Sequence, residues 1–169
     1  MMATSGLDCT VKIWDVRKLK NMSPAKSQTK SVATFQSSKS INSAFFSPSG
    51  KYLLATTMSD KLEILSEAHQ KSGVIKSPIK SIRHDNRTGR WLTTFNAQWH
   101  PGTAEDLFVV GSMQHPRTIE VFNAHSGKVA RGIQGEALTS VMSRCCFHPR
   151  EDRLIVLGGN SSGRLAIAR

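Results

Sequence analysis

Three segments of this 169-residue chain repeat one another, and an internal repeat narrows the possible folds more than any other feature here. They are "INSAFFSPSGKYLLATTMSD", "FNAQWHPGTAEDLFVVGSM" and "SRCCFHPREDRLIVLGGNSSG". Each places an aromatic residue before Ser or His and then a proline, at Pro48, Pro101 and Pro149. A short polar turn follows, then an apolar stretch that ends in small residues. A second stretch comes after each: "KLEIL", "RTIEVF" and "GRLAIA". The same second stretch occurs near the start as "TVKIWD", preceded by "SGLD". Short runs that alternate or are wholly apolar, punctuated by Pro, Gly, Ser and Asp, predict strands in antiparallel hairpins and leave little room for helices. The prolines fall at strand ends, where a missing N–H costs least.

"DCTVKIWD" ends in Trp14-Asp15, the tryptophan–aspartate signature at the end of a third strand in WD40 repeats. In the later units Leu65, Phe122 and Ala168 take the place of the tryptophan. The prolines are 53 and 48 residues apart, slightly more than the ~40–45 of one such unit, so some loops carry insertions. The expected fold is all-β: an incomplete WD40 β-propeller of about three and a half blades, the C-terminal half of a seven-bladed ring. Residues 1–36 read as the end of a blade with its outer strand, 37–83 and 84–134 as two blades, and 135–169 as a last, truncated blade. A propeller hides its edges by closing, so an open arc is expected to expose apolar strand edges and to be poorly stable alone. The opening "MMATSGLDCTVKIW" reads as mid-strand, which raises the expectation of a fragment or a late start. It lacks the basic and apolar regions of a secretion signal, and no apolar run approaches the length of a membrane span.

Charge is the strongest compositional signal. Twenty-three Lys and Arg against twelve Asp and Glu give a net +11. From Val16 to Ser59 there are seven basic residues and no acidic one; from Lys71 to Arg90 there are six, opposed by Asp85 alone. A surplus of this size points to a polyanionic partner such as nucleic acid. Cys9, Cys145 and Cys146 form no C-x-x-C pair, which argues against a disulfide framework or a zinc site and for buried structural thiols in a reducing compartment.

"TVKIWDVR", "FFSPSGKYLLATT", "WLTTFNAQWHP", "HPRTIEVFNAHSGK" and "GGNSSG" occur in this order. Together they resemble the WD repeat-containing protein 76 family of damage-associated proteins and, more distantly, the small subunit of the UV-damaged-DNA-binding complex. "DNRTGRWLT" and "GGNSSG" are the specific pieces, while the final "RLAIAR" departs from the family's more aromatic closing strand. The resemblance implies a nuclear, non-enzymatic receptor for damaged or modified double-stranded DNA. It also implies a role as substrate receptor of a cullin–RING ubiquitin ligase, docked on the adaptor damage-specific DNA-binding protein 1. Histones are a further possible partner, and no membrane is expected.

Two sites follow from it. In "WDVR", Trp14 anchors the strand end, Asp15 opens the exit turn, and Arg17 projects as a rigid fork of donors toward the adaptor. In the UV-damage-binding subunit, a hairpin before the A-x-W-H-P strand pushes three side chains into the DNA. Counting back from Trp99-His100-Pro101, these positions fall on Gly89, Arg90 and Trp91. The relative has an aromatic, an amide and an imidazole there, so the wedge differs in detail. A tryptophan can stack on bases, Arg87 and Arg90 can neutralise phosphates, and Gly89 permits a tight turn. The competing account starts a strand at "WLTTF" and packs Trp91 as ordinary core. Lys39, Lys80, Arg117 and Arg144 join as further phosphate contacts, with Arg87, Arg90 and Arg144 gathered around one mouth.

The remaining polar residues read as structural. His100 and His148 each precede a proline at equivalent positions, which favours hydrogen bonding within the blade over metal binding. Asp8 and Asp60 sit in the turn before a third strand, where a carboxylate binds turn N–H groups. "GGNSSG" joins two strands, whereas a phosphate-binding loop opens a helix. No catalytic triad, metal or cofactor site is expected.

Overall fold

The computed structural model describes residues 1–19, 30–66, 73–102, 106–136, 138–150, 155–160 and 162–168, the side chain of Leu19 excepted. In chain order its elements are β1 (Met2–Ser5), β2 (Thr10–Trp14), α1 (Val16–Leu19), β3 (Ala33–Gln36) and β4 (Ile41–Phe46). Next come β5 (Tyr52–Thr57), β6 (Lys61–Ser66), β7 (Gly73–Ile75), β8 (Lys80–Arg83) and β9 (Gln98–Trp99). The last are β10 (Leu107–Gly111), β11 (Ile119–Asn123), β12 (Lys128–Ile133), β13 (Met142–Phe147), β14 (Val156–Asn160) and β15 (Leu165–Ala168).

They form four separate sheets, in the orders β1-β2-β3-β7, β4-β5-β6-β8, β9-β10-β11-β12 and β13-β14-β15. The pairing is antiparallel except for β7, which leaves the second unit and adds in parallel to β3 of the first sheet. The sheets touch in chain order through their first strands: β1 meets β4, β4 meets β9, and β9 and β10 meet β13. The fold is an incomplete WD40 β-propeller, all-β as the repeat predicts.

Period-two side-chain alternation explains the stacking. In β6, Leu62 and Ile64 face the third sheet, where they pack with Phe95, Trp99, Phe108 and Phe122. Leu65 faces the other way, with Leu53 and Ala55, onto Val11, Ile13 and Phe35 of the first sheet. Ile119 and Val121 repeat the first pattern one sheet on, against Met142, Phe147 and Val156. The equivalent pair on β15, Leu165 and Ile167, is exposed, because the fourth sheet ends the arc. Trp99 adds a polar tie: its indole Nε1 donates to the Phe45 carbonyl at 2.8 Å, joining two inner strands.

The repeated His-Pro corners are also alike in detail. His100 Nδ1 accepts from the Gly102 N–H at 3.0 Å, and His148 Nδ1 from the Arg150 N–H at 3.2 Å. Ser47 stands at the same repeat position but closes its turn differently, its Oγ accepting from the Tyr52 N–H five residues on at 3.1 Å. The histidines are therefore turn-binding groups. Asp8 Oδ1 binds the Thr10 N–H, and Asp60 binds the Asn86 N–H of the next connection. The cysteines depart from expectation: β13 alternation buries Cys145 but exposes Cys146, and Cys9 is half-buried in a turn.

Small residues end the second strands because sheets approach closely there. A Cβ on Gly111 would lie 1.7 Å from the Met142 carbonyl oxygen, a backbone atom of the adjoining inner strand. Gly111→Ala should therefore destabilise the chain by about 1–3 kcal/mol, as overpacking does. Gly135→Ala, in open space, should stay within about 0.5 kcal/mol. Denaturant titration of the two variants checks this.

Candidate nucleic-acid interface

Antiparallel succession gives the arc two ends. One carries the β1–β2, β3–β4, β5–β6, β8–β9, β10–β11, β12–β13 and β14–β15 connections; the other carries β2–β3, β4–β5, β9–β10, β11–β12 and β13–β14. Because β7 is parallel to β3, the β7–β8 connection runs from the first end toward the second. The loop 84–97, between β8 and β9, lies at the first end. Its chain continues β8 in extended form, with His84, Asn86 and Thr88 buried and Arg83, Asp85 and Arg87 exposed. Asn86 is the main anchor. Its Nδ2 donates to the Thr57 and Lys61 carbonyls at 2.8 and 3.2 Å, and its N–H to Asp60 Oδ1. At the far side Phe95 is fully buried and the Ala97 N–H donates to Thr56 Oγ1 at 3.1 Å.

Between these anchors the tip is thrown outward. Residues 89–91 form a turn, with Gly89 at φ +67°, a value that favours glycine. Trp91 is 89% exposed. The strand expected as the alternative at "WLTTF" does not form, and Leu92, not Trp91, packs on the core. No strand pairing occurs inside the loop, so the hairpin carried over from the relative is here a pinned loop with a turn at its tip.

The cations divide into several groups. Arg90 is exposed, and no described residue pairs with it. Arg87 is mostly exposed, with its Nε on Asp60 Oδ2 at 2.9 Å and 3.8 Å from Asp85 Oδ1. An exposed pair of this kind is weak and open to exchange. Lys39 is exposed in the β3–β4 connection at the same end. Arg117 shares that end, but its Nη1 donates to the Met113 and Gln114 carbonyls at 2.8 and 3.5 Å, so it braces its own turn. Arg144 is within β13, exposed on an inner strand and not in a loop. Lys80 begins β8 and so lies at the opposite end, where its Nζ donates to the Ser126 carbonyl at 3.2 Å. The structure thus brings Lys39, Arg87, Gly89, Arg90 and Trp91 to one end and sets Lys80 apart.

Beside the loop is a cleft of about 360 Å³ that sequence reading missed, lined by residues including Arg83, His84, Asp85, Gln114 and Glu120. His84 Nε2 is 3.4 Å from Glu120 Oε2, and its Nδ1 is 2.7 Å from Asn86 Oδ1. Glu120 and Glu63 occupy the same repeat position in "TIEVF" and "KLEIL", each in the middle of a third strand facing the preceding sheet. That charge within an apolar pattern was the available signal. Glu63 has a buried oxygen with no partner among the described residues, and burial raises its carboxyl above the ordinary range.

At the opposite end, Trp14 Nε1 donates to Thr4 Oγ1 at 2.8 Å and so fixes the strand end. Asp15 receives Arg17 Nε at 3.0 Å and Nη2 at 2.8 Å, a two-point pair, and also the Arg17 N–H. The Arg17 side chain is 84% exposed, so the fork is held in place while facing solvent. The guanidinium holds the Asp15 carboxyl down at about 2. Among the described residues no group of His, Cys, Asp and Glu could hold a metal ion, and no helix is long and apolar enough to cross a membrane.

Stacked sheets of three or four strands built from this repeat define a WD-repeat β-propeller protein. The WD domain, G-beta repeat model matches residues 1–15 and 29–62. The likeness to the WD repeat-containing protein 76 family holds along nearly the whole chain. WD repeat-containing protein 76 of Mus musculus is 42% identical over 165 residues, 97% of this chain and 25% of the mouse protein. DNA damage-binding protein CMR1 of Chaetomium globosum is 32% identical over 183 positions, 99% of this chain and 32% of that protein. DNA damage-binding protein 2 of Mus musculus is 30% identical over 164 positions, 91% of this chain and 35% of that protein. The chain spans 25% of the length of the first relatives it matches.

Two outcomes follow from the local electrostatics. Asp15 has a folded value below its ordinary 3.8, so the stabilisation from its pair is complete above that value and is lost as pH falls through about 2. In Arg17→Ala the carboxyl should titrate near 3.8, read by carboxyl-carbon NMR. Burial, with Cys146 adding to it, pushes the Cys145 thiol up to about 12. At pH 8 a thiol reagent should label Cys146 promptly and Cys145 only after unfolding, as peptide mapping would show.

Proposed function

We propose that this chain is part of a nuclear, non-enzymatic WD-repeat protein of the DNA damage response. In this reading the end bearing the 84–97 loop contacts duplex DNA, damaged or modified, and Trp91 tests base stacking. The observation that carries it is the pinned loop with an exposed Trp91 beside an Arg90 that no described residue pairs with, at its tip. An indole held in water by anchors on either side is positioned for a planar apolar partner, and an unstacked base is one. Phosphate contacts would come from Arg90, from Lys39, and from Arg87 on leaving Asp60. The names of the fungal and mouse DNA damage-binding relatives support the same reading.

At the other end, Trp14, Asp15 and Arg17 would dock the adaptor of a cullin–RING ubiquitin ligase, making the protein a substrate receptor. The support is the Asp15-held guanidinium, which is oriented before any partner arrives. The two functions then occupy opposite ends of the arc, so both partners can bind at once.

A protein-only chromatin scaffold, with histones among its partners, is the second reading. It is favoured by Asp60 and Asp85, two carboxylates that flank Arg87 at the base of the loop and make this end less uniformly positive. Duplex-binding titrations at two salt concentrations separate the readings. For DNA recognition, Trp91→Ala should weaken binding by roughly 1–3 kcal/mol without lowering the melting temperature. Arg90→Ala should reduce the slope of log K against log salt by about 1. A slope near zero for the unaltered chain would select the scaffold.

A further inference from the structure

The stretch "KSPIK", Lys76 to Lys80, joins β7 to β8 and belongs to neither surface described above. Ser77 is exposed at a bend, and no described residue engages its hydroxyl. Pro78 biases Ser77 toward extended backbone. Lys76 is exposed before it, and Lys80, half-buried, opens β8 three residues after it with its side chain donating to the Ser126 carbonyl.

Proline-directed protein kinases bind an extended, solvent-exposed segment. They tolerate the missing N–H of a proline after the acceptor, and a base three residues on pairs with an anionic group of the enzyme. Ser77 and Pro78 present the first two features on the connection, and the base three residues on is Lys80, half-buried at the start of β8 with its Nζ on the Ser126 carbonyl. Ser47-Pro48 supplies an internal contrast. There the serine is buried, its Oγ lies 2.9 Å from Ser49 Oγ and accepts the Tyr52 N–H, and Gly50 stands where a base would be needed. Of the two Ser-Pro pairs among the described residues, one serine is consumed by the fold and the other is offered to solvent. A similar run, Ser23 to Lys26, lies outside the described residues.

We propose that Ser77 is the acceptor for a proline-directed serine/threonine kinase. In the transfer, Ser77 Oγ bonds to the γ-phosphorus of ATP and the bond from that phosphorus to the β,γ-bridging oxygen breaks. ADP leaves, and the serine proton passes to the base of the kinase. The product carries about −1.5 to −2 charges between Lys76 and Lys80.

The test treats the full chain with ATP and a cyclin-dependent kinase–cyclin complex, and reads occupancy at Ser77 by peptide mapping, before and after heat unfolding. The folded chain should be modified at Ser77 and not at Ser47. Ser77→Thr should retain the modification, and Lys80→Ala should slow it by roughly fivefold, as loss of one exposed ion pair does. Modification of Ser77 only after unfolding would overturn the proposal, as would a rate indifferent to Pro78→Ala. Neither outcome depends on DNA binding.

Discussion

Sheets stacked face to face must be apolar on both sides, and that requirement organises this molecule. A third strand such as β6 sends Leu62 and Ile64 to one neighbour and Leu65 to the other, so each sheet completes the cores on its two flanks. The stacking leaves little tolerance at the inner strands, where Gly111 meets the Met142 backbone and Trp99 donates to Phe45. It also accounts for the exposed Leu165 and Ile167, which present the same repeat position with no sheet beyond them.

Stacking of this kind turns sequence-distant connections into neighbours. The loop 84–97 is held by Thr56, Thr57, Asp60 and Lys61, all from the β5–β6 corner. Those bonds supply the rigidity that keeps Trp91 in solvent instead of folded back onto the sheet. The same corner contributes Asp60, which holds Arg87 and moderates the positive field, leaving Arg90 as the freest cation at the tip. At the opposite end Asp15 holds Arg17 in a similar way, by a carboxylate two residues away.

Much of the fold was legible because the apolar pattern repeats. The three Ser/His-Pro corners, the second strands and the turn-binding role of His100 and His148 are all local, and local chemistry is readable from residue type. Three features were not. The parallel addition of β7 to β3 depends on a strand leaving its own unit, for which Gly73–Ile75 carries no signal. The placement of Lys80 and the bracing role of Arg117 depend on which end of a strand faces which loop, and on carbonyls whose positions only the folded chain defines. The exposure of Trp91 was undecided in sequence, since an aromatic after Gly-Arg suits a strand start or a turn equally. The buried anchors Asn86 and Phe95 decide it in favour of the turn.

The central claim is that a rigidly anchored loop, apart from the stacked core, carries the contact with DNA. Amide hydrogen exchange of the chain, alone and with duplex DNA, tests it most directly. The account predicts slow exchange in β5, β6, β10 and β11 under both conditions, and new protection on adding duplex confined to residues 85–92 and the connections beside them. Protection that bypasses this loop, or rapid exchange throughout those four strands, would contradict it.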